Sequence, residues 1–210
     1  FIPRYPPAVL GTFPSSYQML PRARHRPVIW ADGSDSVEDL FDPELWERME
    51  WGLASPGQDE VLAWLLPEVA DPAERREIAR DHLRKSLERA RRFAQALDLP
   101  AQPPAGLEFF LVAGDSVPTP RTIEADSATG RLRIVDRDPG DGKVLRTSAL
   151  MDERAGGEWT LGLVSPVAWD EVMFLFKNHL DLTKDPVFTD NLLYWLLEDP
   201  RHRAQRSPPS

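Results

Sequence analysis

An α/β fold is what the sequence predicts, and three observations carry the expectation. Asp42-Pro43, Asp71-Pro72 and Asp185-Pro186 mark helix starts, because an aspartate carboxylate takes up free N–H groups of the first turn and proline suits the first helical position. Apolar residues then recur at helical spacing between Ile78 and Leu97. After residue 105 the pattern changes: Leu107-Glu108-Phe109-Phe110-Leu111-Val112-Ala113 is a short apolar run between Gly106 and Gly114, as in a strand of a sheet covered on both faces.

Element by element, residues 1 to 30 are proline-rich and show no sustained period, so Phe13 to Pro21 is expected to be an extended or single-turn segment outside the core. Asp42 starts a short helix whose Leu45, Trp46 and Met49 share a face before Gly52 stops it. A second helix carries Val61, Leu62, Trp64, Leu65 and Leu66 and ends at Pro67. The strongest begins at Asp71 with Glu74 completing a capping box, and turns Ile78, Leu83, Leu87, Ala90, Phe93, Ala94 and Leu97 inward. Beyond the 107–113 strand, Arg121–Ala125 and Arg131–Val135 flank the turn-rich Asp126-Ser127-Ala128-Thr129-Gly130 and read as a hairpin. Thr160–Val164 is expected to be a further buried strand. A last helix from Asp185 presents Phe188, Leu192, Trp195 and Leu196 inward and stops before Pro200. Residues 201–210 read as a disordered tail. No internal repeat is visible.

Composition narrows the function classes. The 210 residues, 41% of them hydrophobic, suffice for one domain or part of a larger one. The chain opens at Phe1 without methionine, and Phe-Ile-Pro-Arg-Tyr-Pro-Pro matches no secretory signal, so the start is expected to be a cut or an omission. Absence of cysteine removes disulfides, thiol catalysis and cysteine-ligated zinc. A net charge of -9 argues against nucleic acid, whose phosphates such a field repels. Between Asp71 and Leu97 bases outnumber acids, which reads as a solvated helix face. No apolar run approaches the roughly 20 residues of a membrane span. No histidine pair falls at ligand spacing, and neither metal nor cofactor is expected.

The residues with chemical meaning are Asp141, in Gly140-Asp141-Gly142-Lys143-Val144, and His179, in Phe176-Lys177-Asn178-His179-Leu180. Alone, Asp141 between two glycines is a turn signature and His179 a loop histidine. Together, an acid loop, a strand, a histidine loop and a terminal helix form the order that follows the nucleophile in serine hydrolases of the α/β type. There the acid holds the imidazole in one tautomer and stabilises the imidazolium formed when it takes the serine proton. No serine here sits in the Gly-x-Ser-x-Gly turn that such a nucleophile occupies: Ser55 has glycine only after it and Ser116 only before it.

Pro14-Ser15-Ser16-Tyr17-Gln18-Met19-Leu20-Pro21, Ala113-Gly114-Asp115-Ser116-Val117-Pro118-Thr119-Pro120, Gly140-Asp141-Gly142 with Ser148-Ala149-Leu150, and His179 ahead of Asn191-Leu192-Leu193-Tyr194 occur in an order that resembles the C-terminal half of lecithin:cholesterol acyltransferase-like α/β-hydrolases. The resemblance covers nearly the whole chain, and Lys143 departs from the small residue common after the glycine-aspartate-glycine. It implies the C-terminal portion of an α/β-hydrolase sheet with a helical cap insertion: residues 1–29 connecting the core, 30–105 the cap, 106–200 the C-terminal core and 201–210 the tail. The implied activity is that of a serine esterase, lipase or acyltransferase acting on an acyl ester or lipid, with Asp141 as triad acid and His179 as base. The nucleophile and the N-terminal half of the hydrolase are expected outside this chain, which alone is expected to be inactive. Trp46, Trp51 and Trp64 either line an acyl-binding surface or pack as ordinary core.

Two rival readings differ in their expectations. Gly114-Asp115-Ser116-Val117 and Asp199-Pro200-Arg201-His202 imitate the blocks of GDSL-type hydrolases, but Pro118 and Pro120 forbid the helix that should follow that serine. The other alternative is a degenerate, non-catalytic hydrolase-fold protein used for binding.

Overall fold

Asp42, Asp71 and Asp185 each accept a hydrogen bond from the backbone N–H two residues on, at 3.0, 2.9 and 2.8 Å, and the proline after each opens a helix. The computed structural model describes residues 5–99, 102–158 and 160–199. In chain order these form α1 (Pro7–Gly11), α2 (Pro14–Gln18), β1 (Val28–Trp30), α3 (Pro43–Arg48), α4 (Asp59–Leu65) and the long α5 (Pro72–Leu97). There follow β2 (Phe110–Gly114), β3 (Val117–Ala125), β4 (Leu132–Gly140), α6 (Arg146–Ala149), β5 (Glu171–Leu175) and α7 (Pro186–Leu193). The fold is mixed α/β, with one sheet in the order β1-β3-β4 and a parallel pair β2-β5. Two compact units are drawn from Phe1–Leu99 with Thr122–Ile134, and from Pro100–Arg121 with Val135–Ser210.

In the first unit α5 is the scaffold. Ala79, Leu83, Ser86, Leu87, Ala90 and Ala94 form its buried seam, and Ala79, Leu83, Leu87 and Ala90, spaced by threes and fours, pack with Ala8, Tyr17, Leu53 and Leu62. The expected seam needs correction: Ile78, Phe93 and Leu97 are exposed. The alanines are the physical reason, since small side chains let α2 and α4 approach the helix closely. Larger residues then fall to the flanks or beyond the packed stretch. Tyr17, expected outside the core, is 2% exposed; its hydroxyl donates to the Gly11 carbonyl at 3.1 Å, and burial pushes its pKa up to about 12.

A second cluster joins Val28, Val37, Leu40, Leu45, Met49 and Ala125. β1 pairs in parallel with β3, Val28 opposite Ile123 and Trp30 opposite Ala125. The hairpin strands are longer than their apolar residues predicted, and Asp126 closes the turn by accepting from Ala128 and Thr129 at 2.8 and 3.1 Å. Trp46 and Trp51 meet edge to face at 6.0 Å, donate their indole N–H groups to the carbonyls of Leu40 and Gly130, and pack half-buried against the two apolar clusters. Trp64 is 88% exposed.

In the second unit β2 and β5 run parallel in register from Phe110 opposite Glu171 to Gly114 opposite Leu175. The expected strand Thr160–Val164 is a correction: the segment is irregular, with Leu161 89% exposed. Gly162 interrupts its apolar residues and weakens it as a strand, while the uninterrupted Val172-Met173-Phe174-Leu175 takes the place beside β2. That strand is itself only half-buried until Ala113 and Gly114, not covered on both faces. Ser116 leads directly into β3, and no helix follows it. α7 passes into one π-helical turn, Tyr194–Glu198, where the Trp195 ring packs tilted against Phe110 at 4.9 Å and its indole N–H donates to Glu171. Leu192 and Leu196, expected inward, are 36% and 60% exposed. The tail and His202 lie outside the described residues. Among those described, no helix is long and apolar enough to cross a membrane.

Candidate active site

The ends of β2, β4 and β5 build one site inside the second unit. β4 finishes at Gly140, and the chain reverses at once: the Asp141 N–H donates to the Val144 carbonyl at 3.1 Å, and Gly140 bridges Leu145. Gly142 supplies the reversal with φ 91, a conformation glycine adopts without a Cβ penalty. The Asp141 carboxylate then divides its labour. Oδ1 accepts from the N–H groups of Lys143 and Val144 at 2.8 and 2.7 Å, and Oδ2 faces the Nδ1 atom of His179 at 2.8 Å.

His179 arrives from the other side. Beyond β5 the chain turns, and the Asn178 carboxamide oxygen accepts from Leu180 and Asp181 at 3.0 and 3.1 Å, an Asx turn that sets the loop. The Lys177 ammonium pairs with Asp185, the cap of α7, at 3.2 Å and ties the loop to the following helix. The His179 backbone N–H donates to the Asp141 carbonyl at 2.9 Å, so main chain and side chain join the same two residues.

Gly114, the last residue of β2, is what allows the convergence. A Cβ there would overlap the Lys177 carbonyl oxygen and stand 2.9 Å from the Asp141 Cβ. No side chain fits between the two loops. Beneath the turn lies Thr119, whose hydroxyl accepts from the Gly142 N–H at 2.8 Å and donates to the Val117 carbonyl at 2.9 Å. Neither residue carries a functional signal in the sequence: the stretch from Ala113 to Pro120 contributes to the resemblance as a motif, and nothing in it says which loops it meets.

Burial pushes the Asp141 carboxyl up, but the Val144 N–H, the His179 ring and the Lys143 N–H together outweigh it and hold the group below its usual range. It is therefore a carboxylate near neutral pH. An ionised carboxylate only accepts, so the proton of a neutral imidazole sits on Nδ1 and Nε2 keeps its lone pair. Asp141 is 7% exposed, whereas the His179 side chain keeps 50% of its surface. Among the described residues nothing bonds to that Nε2. The arrangement is an oriented base: a fixed tautomer, a buried counter-charge and an open nitrogen.

The other histidines are apart from this pair in the sequence and in the elements that carry them, His25 in a short 3-10 turn after α2 and His82 on α5. Among the described residues no group of three or more histidine, aspartate or glutamate side chains is placed to hold a metal ion. No family model, curated protein or solved structure matches the chain.

Proposed function

We propose that this chain supplies the acid and the base of a serine-dependent esterase, lipase or acyltransferase of the α/β-hydrolase type, with the nucleophile on polypeptide outside these 210 residues. The observation that carries the reading is the 2.8 Å contact between His179 Nδ1 and Asp141 Oδ2, between loops that leave a strand end on either side. In this reading His179 Nε2 takes the proton of the serine hydroxyl as its oxygen attacks the acyl carbonyl. The same proton passes to the departing alkoxide when the ester C–O bond breaks. Water or a second alcohol then attacks the acyl-serine, gives its proton to Nε2, and the serine oxygen recovers it as the acyl group leaves. Asp141 stays ionised throughout, orienting the ring and balancing the imidazolium charge.

Two further features support it. Parallel strands belong to sheets covered on both faces, yet Phe176, just past β5, is 84% and Leu197, in the turn after α7, 76% exposed, apolar side chains suited to contact with the rest of a hydrolase sheet. The resemblance of the collinear motifs to lecithin:cholesterol acyltransferase-like enzymes implies residues 30–105 as the cap and an acyl ester or lipid as the substrate.

A fluorophosphonate that labels active serines tests the proposal. The chain alone should remain unlabelled, the full-length protein should label stoichiometrically, and His179→Ala should abolish that labelling and reduce turnover by several orders of magnitude. Full labelling and turnover in the His179→Ala protein would remove His179 from the mechanism. A full-length protein that never labels would favour the non-catalytic binding role.

A further inference from the structure

We propose that Thr119 is a positioning residue for the acid, its hydroxyl holding the Asp141 turn in the arrangement that presents Oδ2 to His179; the inference rests on the reading of those two residues as acid and base. Thr119 is 1% exposed on β3, and its Oγ1 makes two bonds. A hydroxyl has a single proton, which goes to the Val117 carbonyl at 2.9 Å, so toward the Gly142 N–H at 2.8 Å the oxygen can only accept. The polarity of the strut is fixed by the strand it stands on.

The consequence lies in the peptide unit that joins Asp141 to Gly142. Its carbonyl oxygen accepts the backbone N–H of His179 at 2.9 Å, and its N–H is held by Thr119. Both ends of one plane are clamped. The next two N–H groups, of Lys143 and Val144, are taken by Asp141 Oδ1. All three donors after the acid are thus assigned, and Oδ2 is the oxygen left for the imidazole.

Removing the Thr119 hydroxyl orphans the Gly142 N–H, which can then turn the peptide through glycine's permissive dihedrals to find another acceptor. The Asp141 carbonyl leaves the His179 N–H as it turns, and the carboxylate swings with it. The Thr119 hydroxyl bonds to the backbone of Val117 and Gly142 and acts on the two functional side chains through the turn. Its reach to the turn depends on a bare neighbour, since a Cβ on Gly140 would stand 2.5 Å from its Oγ1.

The test needs no turnover. Nitrogen-15 shifts of the two ring nitrogens of His179, measured on the 210-residue chain above the pH at which the imidazole is protonated, report which nitrogen carries the proton. The parent should show the Nδ1–H tautomer, Thr119→Ser should retain it, and Thr119→Val should move the population toward the Nε2–H tautomer of a free imidazole. The indole N–H of Trp169, bonded to the Leu150 carbonyl at 3.1 Å in the same unit, should not move and serves as the control for folding. Parent-like His179 shifts in folded Thr119→Val would overturn the proposal. Should the valine protein fail to fold, Thr119→Ser decides: a folded serine variant that loses the Nδ1–H tautomer overturns it, and one that keeps it supports the hydroxyl as the cause. A parent chain without the Nδ1–H tautomer would sink the acid–base reading along with the strut, whereas the other refutations leave that reading standing. In the full-length enzyme Thr119→Val should lower kcat roughly 100-fold with KM unchanged.

Discussion

Asp141→Asn isolates what the carboxylate contributes without disturbing the turn. The asparagine oxygen can still accept the Lys143 and Val144 N–H groups, now at 2.8 and 2.7 Å, so the other half of the amide, an NH2, faces His179 Nδ1 across 2.8 Å. A donor facing a donor is repulsive, and the ring relieves it by moving its proton to Nε2. In the proposed mechanism that nitrogen then has no lone pair for the serine proton. The same change in a serine-protease triad lowers turnover by about 10⁴, or about 5 kcal/mol of barrier. Stability responds separately: a hydrogen bond to a charged group contributes about 1.5–3 kcal/mol, and the half-exposed imidazole places this one at the lower end. Because the folded carboxyl titrates below its unfolded value, its contribution is complete above about pH 3.9 and is lost as pH falls through the lower, folded value. Asparagine does not titrate. Turnover of an activated ester by the full-length protein and urea unfolding of the chain near neutrality and at about pH 2 form the assay. The parent should exceed the variant in stability at neutral pH, with the gap closing in acid. Turnover within tenfold of the parent, or a stability gap independent of pH, would refute the assignment.

Gly114→Ala places a methyl group against the Lys177 carbonyl and the Asp141 Cβ, where backbone must give way; we expect about 1–3 kcal/mol of destabilisation and loss of the Nδ1–H tautomer of His179, read by urea midpoint and nitrogen-15 shifts. Leu83→Ala opens a cavity at a fully buried seam position of α5 and should cost about 2–5 kcal/mol in denaturant unfolding, while the His179 shifts, in the other unit, stay at their parent values.

Legibility followed the range of the interaction. Helix starts at Asp42, Asp71 and Asp185 were readable because a cap involves an aspartate, a proline and an N–H group within three residues. The order of Asp141 and His179 was readable because chain order survives whatever the loops do. β5 was not, since Glu171–Leu175 carries no turn signal of its own and becomes a strand by lying beside β2; the same competition left Thr160–Val164 irregular. The seam of α5 departs from its apolar pattern for a related reason. Ile78 and Phe93 are more hydrophobic than Ala79 and Ala90, but close approach by α2 and α4 rewards small residues over large ones. Gly114 and Thr119 derive their roles from atoms of other segments, and periodicity is blind to those.

Read alone, Asp141 offers two competing meanings, a turn residue between glycines or an acid of a site. Its two oxygens dissolve the competition. Oδ1 is committed to the N–H groups of its own turn, and that commitment fixes the plane of the carboxylate, which leaves Oδ2 one direction in which to point. The His179 N–H on the Asp141 carbonyl brings the imidazole into that direction from the main chain. A looser turn would let the carboxylate rotate and share both oxygens with solvent, and the ring would lose its preferred tautomer. The tightness of the Gly140–Val144 reversal is thus a condition for an oriented imidazole, and the turn geometry and the proposed acid role of Asp141 rest on a single arrangement.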